Sequence, residues 1–471
     1  MNKPDKHQEV QMYLSQKEEW TNEVPVLDGV AVSYAIEGQV GEYFTGGEKE
    51  KPLTPNLLEQ VIVLSNLERA CRRVVTNGGS AGIDGMEVKE LGKWLTVNCR
   101  KLQKELREGT YQVQGVREVL IPKPKGGERV LGIPTVIDRM IQQAIHQVLE
   151  KIYDSTFSPT SYGFRKGRGT GNALTQLGHY IEKGRTHIVD IDLAKFFEEV
   201  NHDRLLKRLS YRIQDKGLLR LIHEYLKAGT LGEGLISQRI KGTPQGSPLS
   251  PLLSNIVLDE LDKELSKRGH CYVRYADDLV ILVGSLRAAE RVNSSITNFI
   301  ERHLKLKVNE TKSRICRPLD LNYLGHSFTG VGQRLLSQSS EERIKSKIRQ
   351  VTQRNRGRSL EQIIKELTPI LRGWLNYFQG AMMKKKLLKL DSWIRKRLRC
   401  YRLKQCKRAK GMMRFLRKLG VPEKRCWTTA ASRKGWWRKS STPACHEGMN
   451  NEWFKEQRLF SLLDNYLRFR A

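Results

Sequence analysis

No two cysteines of this 471-residue chain are spaced as a metal-binding or redox pair. The eight (Cys71, Cys99, Cys271, Cys316, Cys400, Cys406, Cys426 and Cys445) are scattered without a C-x-x-C spacing. That argues against both a zinc ribbon and a disulfide framework, and it fits a reducing compartment. Cys445-His446 with Cys426 brings too few ligands at metal-site spacing, so structural thiols are expected there. No apolar run approaches the ~20 residues that span a bilayer. The opening MNKPDKHQEV lacks a basic-then-apolar signal, so the expectation is a soluble, cytoplasmic chain with no membrane partner. Internal repeats are absent as well.

What is present in excess is positive charge. Lys and Arg number 83 against 51 Asp and Glu, a formal +32. Such a surplus repels itself unless a polyanion neutralises it, and nucleic acid is the usual polyanion. The distribution sharpens the point. Residues 1–50 carry 4 basic and 10 acidic residues (−6), residues 51–340 carry 44 and 31 (+13), and residues 341–471 carry 35 and 10 (+25). A polyanion is therefore expected mainly at the C-terminal end.

Helical periodicity starts at Leu57, Leu58, Val61, Leu64, Leu67 and Ala70, and the loop Asn77-Gly-Gly-Ser-Ala-Gly-Ile-Asp-Gly85 interrupts it. Val119 to Ile133 reads as two short strands around a Lys-Gly-Gly turn, and residues 135–152 as a helix. His187-Ile-Val-Asp-Ile-Asp192 is a buried strand ending in carboxylates. Cys271–Tyr275 and Leu279–Val283 are two strands joined by Ala-Asp-Asp. Beyond residue 340 the pattern turns helical, marked by Ile344, Ile348 and Val351, then Ile363, Leu367, Ile370, Trp374 and Phe378, then Leu387, Leu390, Ile394 and Leu398. An α+β region followed by a basic helical region is expected.

Two acidic clusters lie in apolar strand context: Asp190-Ile-Asp192, and Tyr275-Ala-Asp-Asp278. Carboxylates placed there are costly unless they pair or bind cations. Hard oxygen ligands at strand ends suit Mg²⁺, and two such ions serve an in-line phosphoryl displacement. Solvent-facing turn acids are the bland alternative.

Tyr-x-Asp-Asp between apolar strands, after a strand end followed by Phe196-Phe197, resembles the palm of reverse transcriptases. Further blocks follow in order: Ile121-Pro-Lys-Pro with Arg129; Gly132-Ile-Pro-Thr-Val-Ile-Asp-Arg139; Ser161-Tyr-Gly-Phe-Arg-Lys-Gly-Arg168; Thr243-Pro-Gln-Gly-Ser-Pro-Leu-Ser-Pro251; Leu306-Lys-Val-Asn-Glu-Thr-Lys312; and Tyr323-Leu-Gly-His-Ser-Phe328. The loop at 77–85, Gly373-Trp-Leu-Asn-Tyr-Phe378 and Arg433-Lys-Gly-Trp-Trp-Arg438 resemble parts of bacterial group II intron-encoded proteins. The likeness covers roughly residues 55–471, and many blocks in register make it specific.

The resemblance implies a right-hand polymerase with α+β fingers and palm (55–335), a helical thumb or maturase region (336–410) and a small basic DNA-binding region (411–471), after an acidic extension (1–54). It implies an RNA-directed DNA polymerase using two Mg²⁺ and deoxynucleoside triphosphates, with Asp192, Asp277 and Asp278 as catalytic carboxylates and Ile191 beside them in the metal set. Asp190 becomes a neighbour. Lys123 and Arg129 would hold the triphosphate, apt as a point charge and a fork. Phe197 would pack on the sugar and Gln245 would bind nucleotide, while Phe196 is read as core.

Arg165 and Arg168 would touch template or phosphate, with a structural ion pair as the alternative. The basic helical face (Arg395, Lys396, Arg397, Arg399, Lys404, Lys407 and Arg408) and the cation-flanked Trp436 and Trp437 would touch nucleic acid, one of the two tryptophans being core. The implied partners are structured intron RNA, an RNA template and a DNA primer or target, and the implied roles are reverse transcription, assistance of splicing and intron mobility. With no endonuclease region before Ala471, no second-strand cleavage is expected, which resembles the compact class C lineage. The alternatives are a free-standing reverse transcriptase of defence or repair, an RNA-binding splicing factor without catalysis, and an RNA polymerase. The intact Tyr-Ala-Asp-Asp speaks against the second, and Phe197 against the third.

Overall fold

The computed structural model describes residues 56–122, 128–232, 235–237 and 241–470. The acidic extension and the Lys-Gly-Gly turn with Lys123 lie outside the described residues. The chain divides into two compact units at Arg317/Pro318.

The first unit opens with three helices, α1 (Leu57–Ile62), α2 (Leu64–Asn77) and α3 (Leu91–Glu108). Their apolar stripes (Leu57, Val61, Leu67, Ala70, Leu91, Leu102) are fully buried, as the periodicity dictates. Strands β1 (Val116–Pro122) and β2 (Glu128–Ile133) pair antiparallel. Helix α4 (Val136–Tyr153) follows, its N-cap Thr135 accepting from the Asp138 amide. The glycine-rich loop lies against this N-terminus. A Cβ on Gly82 would sit 2.6 Å from Thr135 Cα, which explains a glycine there.

Next come α5 (Thr170–Glu182), β3 (His187–Ile191), the short α6 (Phe196–Glu199), α7 (His202–Ser210) and α8 (Lys216–Lys227). Then follow β4 (Thr230–Gly232), β5 (Leu235–Ser237), α9 (Ser250–Lys267), β6 (Cys271–Tyr275), β7 (Asp278–Val283), α10 (Leu286–Phe299) and β8 (Arg314–Cys316). Two four-stranded sheets result, in orders β2-β1-β4-β5 and β6-β7-β3-β8. In the second, β3 lies between β7 and β8, antiparallel to both. Alternation divides its side chains between two faces. Val189, Ile191, Tyr272, Leu279 and Ile281 enter the main core. Ile188, Val273 and Val280, on the other face, are also buried, and α5 packs along β6.

The second unit opens with a hairpin, β9 (His326–Phe328) and β10 (Arg334–Leu336). Long helices follow: α11 (Gln338–Val351), α12 (Leu360–Phe378) and α13 (Lys384–Gln405). Six shorter ones complete it: α14 (Ala409–Lys418), α15 (Glu423–Ala431), α16 (Trp436–Lys439), α17 (Pro443–Gly448), α18 (Asn451–Glu456) and α19 (Leu462–Arg468). One core holds them, running from Leu336 and Ile344 through Leu367, Leu375, Ile394 and Leu398 to Phe454 and Tyr466. The Tyr323–Phe328 block, read from sequence with the palm, packs inside this unit. Its His326 ring lies 4.9 Å from Phe378, and Tyr377 donates to the Leu324 carbonyl at 3.1 Å. No described helix is long and apolar enough to cross a membrane.

Candidate active site and nucleic-acid surface

The pairing register assembles the acids. Ile191 lies opposite Leu279, so one further step along the ladder sets Asp192 across from Asp278. Tyr275 pairs with Asp278 across the two-residue turn Ala276-Asp277. The three carboxylates thus share one end of adjacent strands. The Ile191 side chain is 1 % exposed in the core, which leaves its main-chain carbonyl as the only oxygen it offers an ion.

The turn is held from beneath. Ala276 has φ 58°, a conformation L-residues resist. Arg274, one residue outside the turn and fully buried, anchors it. Its Nη1 donates to the Ala276 carbonyl and to Asn255 Oδ1, both at 2.9 Å. Its Nε donates to Asp262 Oδ1 at 2.8 Å, and its Nη2 to Ser161 Oγ at 2.7 Å and to Asp262 Oδ2. Asn255 in turn donates to the Gly163 carbonyl at 2.9 Å. Gly163 packs so close that a Cβ would stand 2.2 Å from the Ala276 nitrogen. Ser161-Tyr-Gly-Phe164 is therefore the bed of the acidic turn. Arg274, Asp262 and Asn255 are the residues that sequence reasoning missed, although an arginine inside an apolar strand was a visible signal.

Asp192 is fixed through its backbone and faces a cation. Its amide donates to Ser313 Oγ at 3.0 Å, and its carbonyl accepts from the Asn309 amide at 2.8 Å. Lys312 Nζ lies 3.3 Å from Asp192 Oδ2. Asp190 pairs with Arg314 at 3.7 Å. Burial pushes its carboxyl up to about 6, Arg314 opposing the shift and Asp192 adding to it. Among the described residues no three or more His, Cys, Asp or Glu side chains converge as a finished metal cluster. Mg²⁺ commonly takes one or two carboxylates and completes its shell with water and substrate phosphate.

Phe196 and Phe197 divide as their adjacency requires. Phe196 is 2 % exposed in the core, and Phe197 is half-buried with its ring 5.3 Å away. The Gln245 loop is built against them. The Thr243 amide donates to the Phe197 carbonyl at 2.6 Å, and a Cβ on Gly242 (φ 90°) would meet the Phe197 and Glu198 carbonyls at 2.8 Å. The Gly132 amide donates to the Gln245 carbonyl at 3.0 Å, which ties β2, the strand of Arg129, to the same loop. For Arg129 only the backbone is described.

Arg165 takes the structural ion pair, the alternative to a template or phosphate contact. It is buried, with Nε on Asp154 Oδ1 at 2.6 Å and its other nitrogens on the carbonyls of Asp154, Ser158 and Ser161. A guanidinium so enclosed staples its own loop. Arg168 is half-buried, donates to the Pro159 carbonyl at 2.6 Å and lies over Tyr162.

In the second unit Arg395, Lys396 and Arg397 are half-exposed on α13. Lys396 Nζ stands 4.4 Å above the Trp437 ring, which is 43 % exposed, whereas Trp436 packs on the core. Arg399, counted from sequence in the basic face, is instead buried, donates to the Met449 carbonyl at 2.9 Å and has its pKa lowered to about 10 by desolvation.

A sheet that presents three carboxylates at one strand end, beside the Gln245 loop, is the arrangement expected of a polymerase. Residues 121–328 match the reverse transcriptase (RNA-dependent DNA polymerase) family, and residues 341–420 match the group II intron maturase-specific domain. The chain is 32 % identical to protein YkfC of Escherichia coli K12, over 63 % of this chain and 88 % of that one. It is 30 % identical to the group II intron-encoded protein LtrA of Lactococcus lactis, over 46 % of this chain and 47 % of that one. A Cas6-RT-Cas1–Cas2 complex matches at 26 % identity and TM-score 0.35, over 53 % of this chain and 43 % of that one. The chain spans most of YkfC but only about half of LtrA. It belongs to the group II intron family of reverse transcriptases with a maturase domain.

Proposed function

We propose that Asp192, Asp277 and Asp278, with the Ile191 carbonyl, hold two Mg²⁺ and that this site copies RNA into DNA. The observation that carries the reading is the β3–β7 register, which sets Asp192 across from Asp278 beside the Arg274-anchored turn. The donor set fits the ion: hard oxygens at strand ends, one of them already facing the Lys312 ammonium. Bound there, the metal would activate a primer hydroxyl and neutralise the triphosphate. The chain's own residues do the rest. Lys123 and Arg129 grip the triphosphate. Gln245, on a loop whose glycines admit a close backbone, holds the nucleotide. Phe197 lies against the sugar and leaves no room for a 2′-hydroxyl, which selects deoxynucleotides.

The second unit is assigned to intron RNA. Arg395, Lys396 and Arg397 with Trp436 and Trp437 combine phosphate contact with base stacking, and Arg168 contacts template from the first unit. By binding the active RNA fold more tightly than misfolded forms, the protein assists splicing without itself doing that chemistry. Reverse transcription of the same RNA at a DNA target then gives mobility. The test is splicing of an intron flanking the reading frame at low Mg²⁺, where the RNA alone is inactive. Asp277→Ala with Asp278→Ala should abolish cDNA synthesis and leave splicing largely intact, whereas neutralising Arg395, Lys396 and Arg397 should impair splicing more strongly. Loss of splicing in a folded, RNA-bound carboxylate variant would refute the division.

A further inference from the structure

Within the second unit α11, α12 and α13 leave a cleft of about 400 Å³, toward the lower end of the roughly 300–1,000 Å³ of small-ligand sites. Its apolar wall is Trp374, Trp393 and Leu390, and cations Lys345, Arg349 and Lys389 stand at its rim. Glu341 is the acid lining it, and it takes up Lys345 and also Lys386, the latter at 3.1 Å. Among the described residues Arg349 and Lys389 have no ion-pair partner. The Trp374 Nε1 hydrogen is buried without an acceptor, and a buried donor left unpaired is costly. Two guanidinium groups approach the Trp393 ring, Arg349 at 5.6 Å and Arg397 at 5.2 Å from its centre. A second cleft of about 480 Å³ opens beyond Arg397, lined also by Arg354, Asn355, Lys404 and Trp436. Arg397 is held in place there by its Nε donating to Thr352 Oγ1 at 2.6 Å.

The occupant that satisfies these features has flat apolar faces, an oxygen acceptor for an indole N–H, and a negative charge for unpaired cations. A nucleotide has all three. A buried amphipathic helix of a protein partner would leave Arg349 and Lys389 without anions, and regular duplex presents no open base face. We propose that this cleft takes one unstacked base of a single-stranded RNA segment, stacked at Trp393 with its phosphate toward Arg349 and Lys389. The next nucleotide enters the Arg397–Trp436 cleft. The site rests on the reading of this unit as an RNA-binding surface, and it names the part of the RNA that is recognised: an unpaired segment of at least two nucleotides.

The experiment uses the full chain, a fluorescein-labelled single-stranded oligouridylate carrying one 4-thiouridine, the same sequence as DNA, and a blunt RNA duplex. Ultraviolet crosslinking followed by peptide mapping should place the thiouridine on the segments bearing Trp374 or Trp393. Trp393→Leu, which keeps apolar volume without an aromatic face, should weaken oligouridylate binding roughly 5- to 150-fold, the worth of one base stack. It should leave duplex affinity within about 2-fold and the salt slope unchanged. Trp393→Phe should retain most of the affinity, which separates stacking from folding. Arg349→Gln with Lys389→Gln should lower the slope by about one to two phosphates' worth. Equal oligouridylate binding by parent, Trp393→Leu and Trp393→Phe, or crosslinks confined elsewhere, overturns the site. Equal binding of the DNA strand overturns its assignment to RNA. A parent that binds duplex but no single strand also overturns the site while sparing the wider reading. A parent that binds neither brings down both.

Discussion

Removing Arg274 tests whether the acidic turn is positioned from below. The Arg274 and Asp262 side chains are 1 % and 0 % exposed, so a single change at either strands a charge in the core. Arg274→Met keeps the length of the side chain and deletes the guanidinium. Breaking one partner out of a buried pair destabilises by about 3–5 kcal/mol, and the loss of hydrogen bonds to Asn255 and Ser161 adds to it. At about 2–4 °C per kcal/mol for a unit of this size, the melting transition should fall by roughly 10 °C. Asp262→Leu combined with Arg274→Met removes both charges, and such apolar replacements commonly restore stability. Turnover should not return with it. The Ala276 carbonyl will have lost its anchor, the strained φ can relax, and Asp277 shifts. A displacement of about 1 Å lowers rate about 100-fold. The assay is single-turnover extension of a DNA primer on an RNA template, run beside thermal melts of the two single variants and the double. Recovery of turnover together with stability, or additive effects of the two single changes, would refute the positioning role.

Three further outcomes follow from particular side chains. Phe197→Ala should admit ribonucleotides markedly better while retaining some DNA synthesis, whereas Phe196→Ala, in the core at 2 % exposure, should cost about 3–5 kcal/mol of stability; the reverse pattern in a nucleotide competition assay would shift the register by one. Burial holds the His326 imidazole down at about 4, and the nearby Arg334 pushes the same way. A depressed folded pKa means stability fully present above about 6.5 and lost at about 1.4 kcal/mol per pH unit as pH falls toward 4, so the second unit's urea midpoint should drop across that window, and His326→Gln should flatten the drop. Lys312→Met should leave the fold intact and alter turnover, because Lys312 touches Asp192 from an exposed position; unchanged single-turnover rates would remove it from the site.

Much of this was legible in the chain. Strand β3 announces itself as an apolar run ending in carboxylates, β6 and β7 as runs joined by Ala-Asp-Asp, and α11 to α13 by the 3.6-residue recurrence of Ile344, Leu367 and Leu398. The adjacent Phe196 and Phe197 had to face different ways, and their burial differs accordingly. What stayed hidden depends on partners distant in sequence. Ser161 lies 113 positions from Arg274, and Lys312 lies 120 from Asp192. No local pattern marks those pairs. Arg165 looked like a phosphate ligand because its partners are backbone carbonyls and Asp154, which composition does not reveal. The three-residue strands Thr230–Gly232 and Arg314–Cys316 have no periodicity of their own and exist because β1 and β3 offer them an edge.

The central claim is that Asp192 and Asp277 serve one polymerase centre, and primer extension tests it most directly. Purified parent, Asp192→Asn and Asp277→Asn are compared on one annealed RNA template and DNA primer with Mg²⁺ and all four deoxynucleoside triphosphates. Both variants keep the shape of the side chain and delete a metal-binding charge. Full-length cDNA is expected from the parent and a loss of several orders of magnitude in each variant, with melting temperatures close to the parent's. Normal cDNA yield from either variant would contradict it.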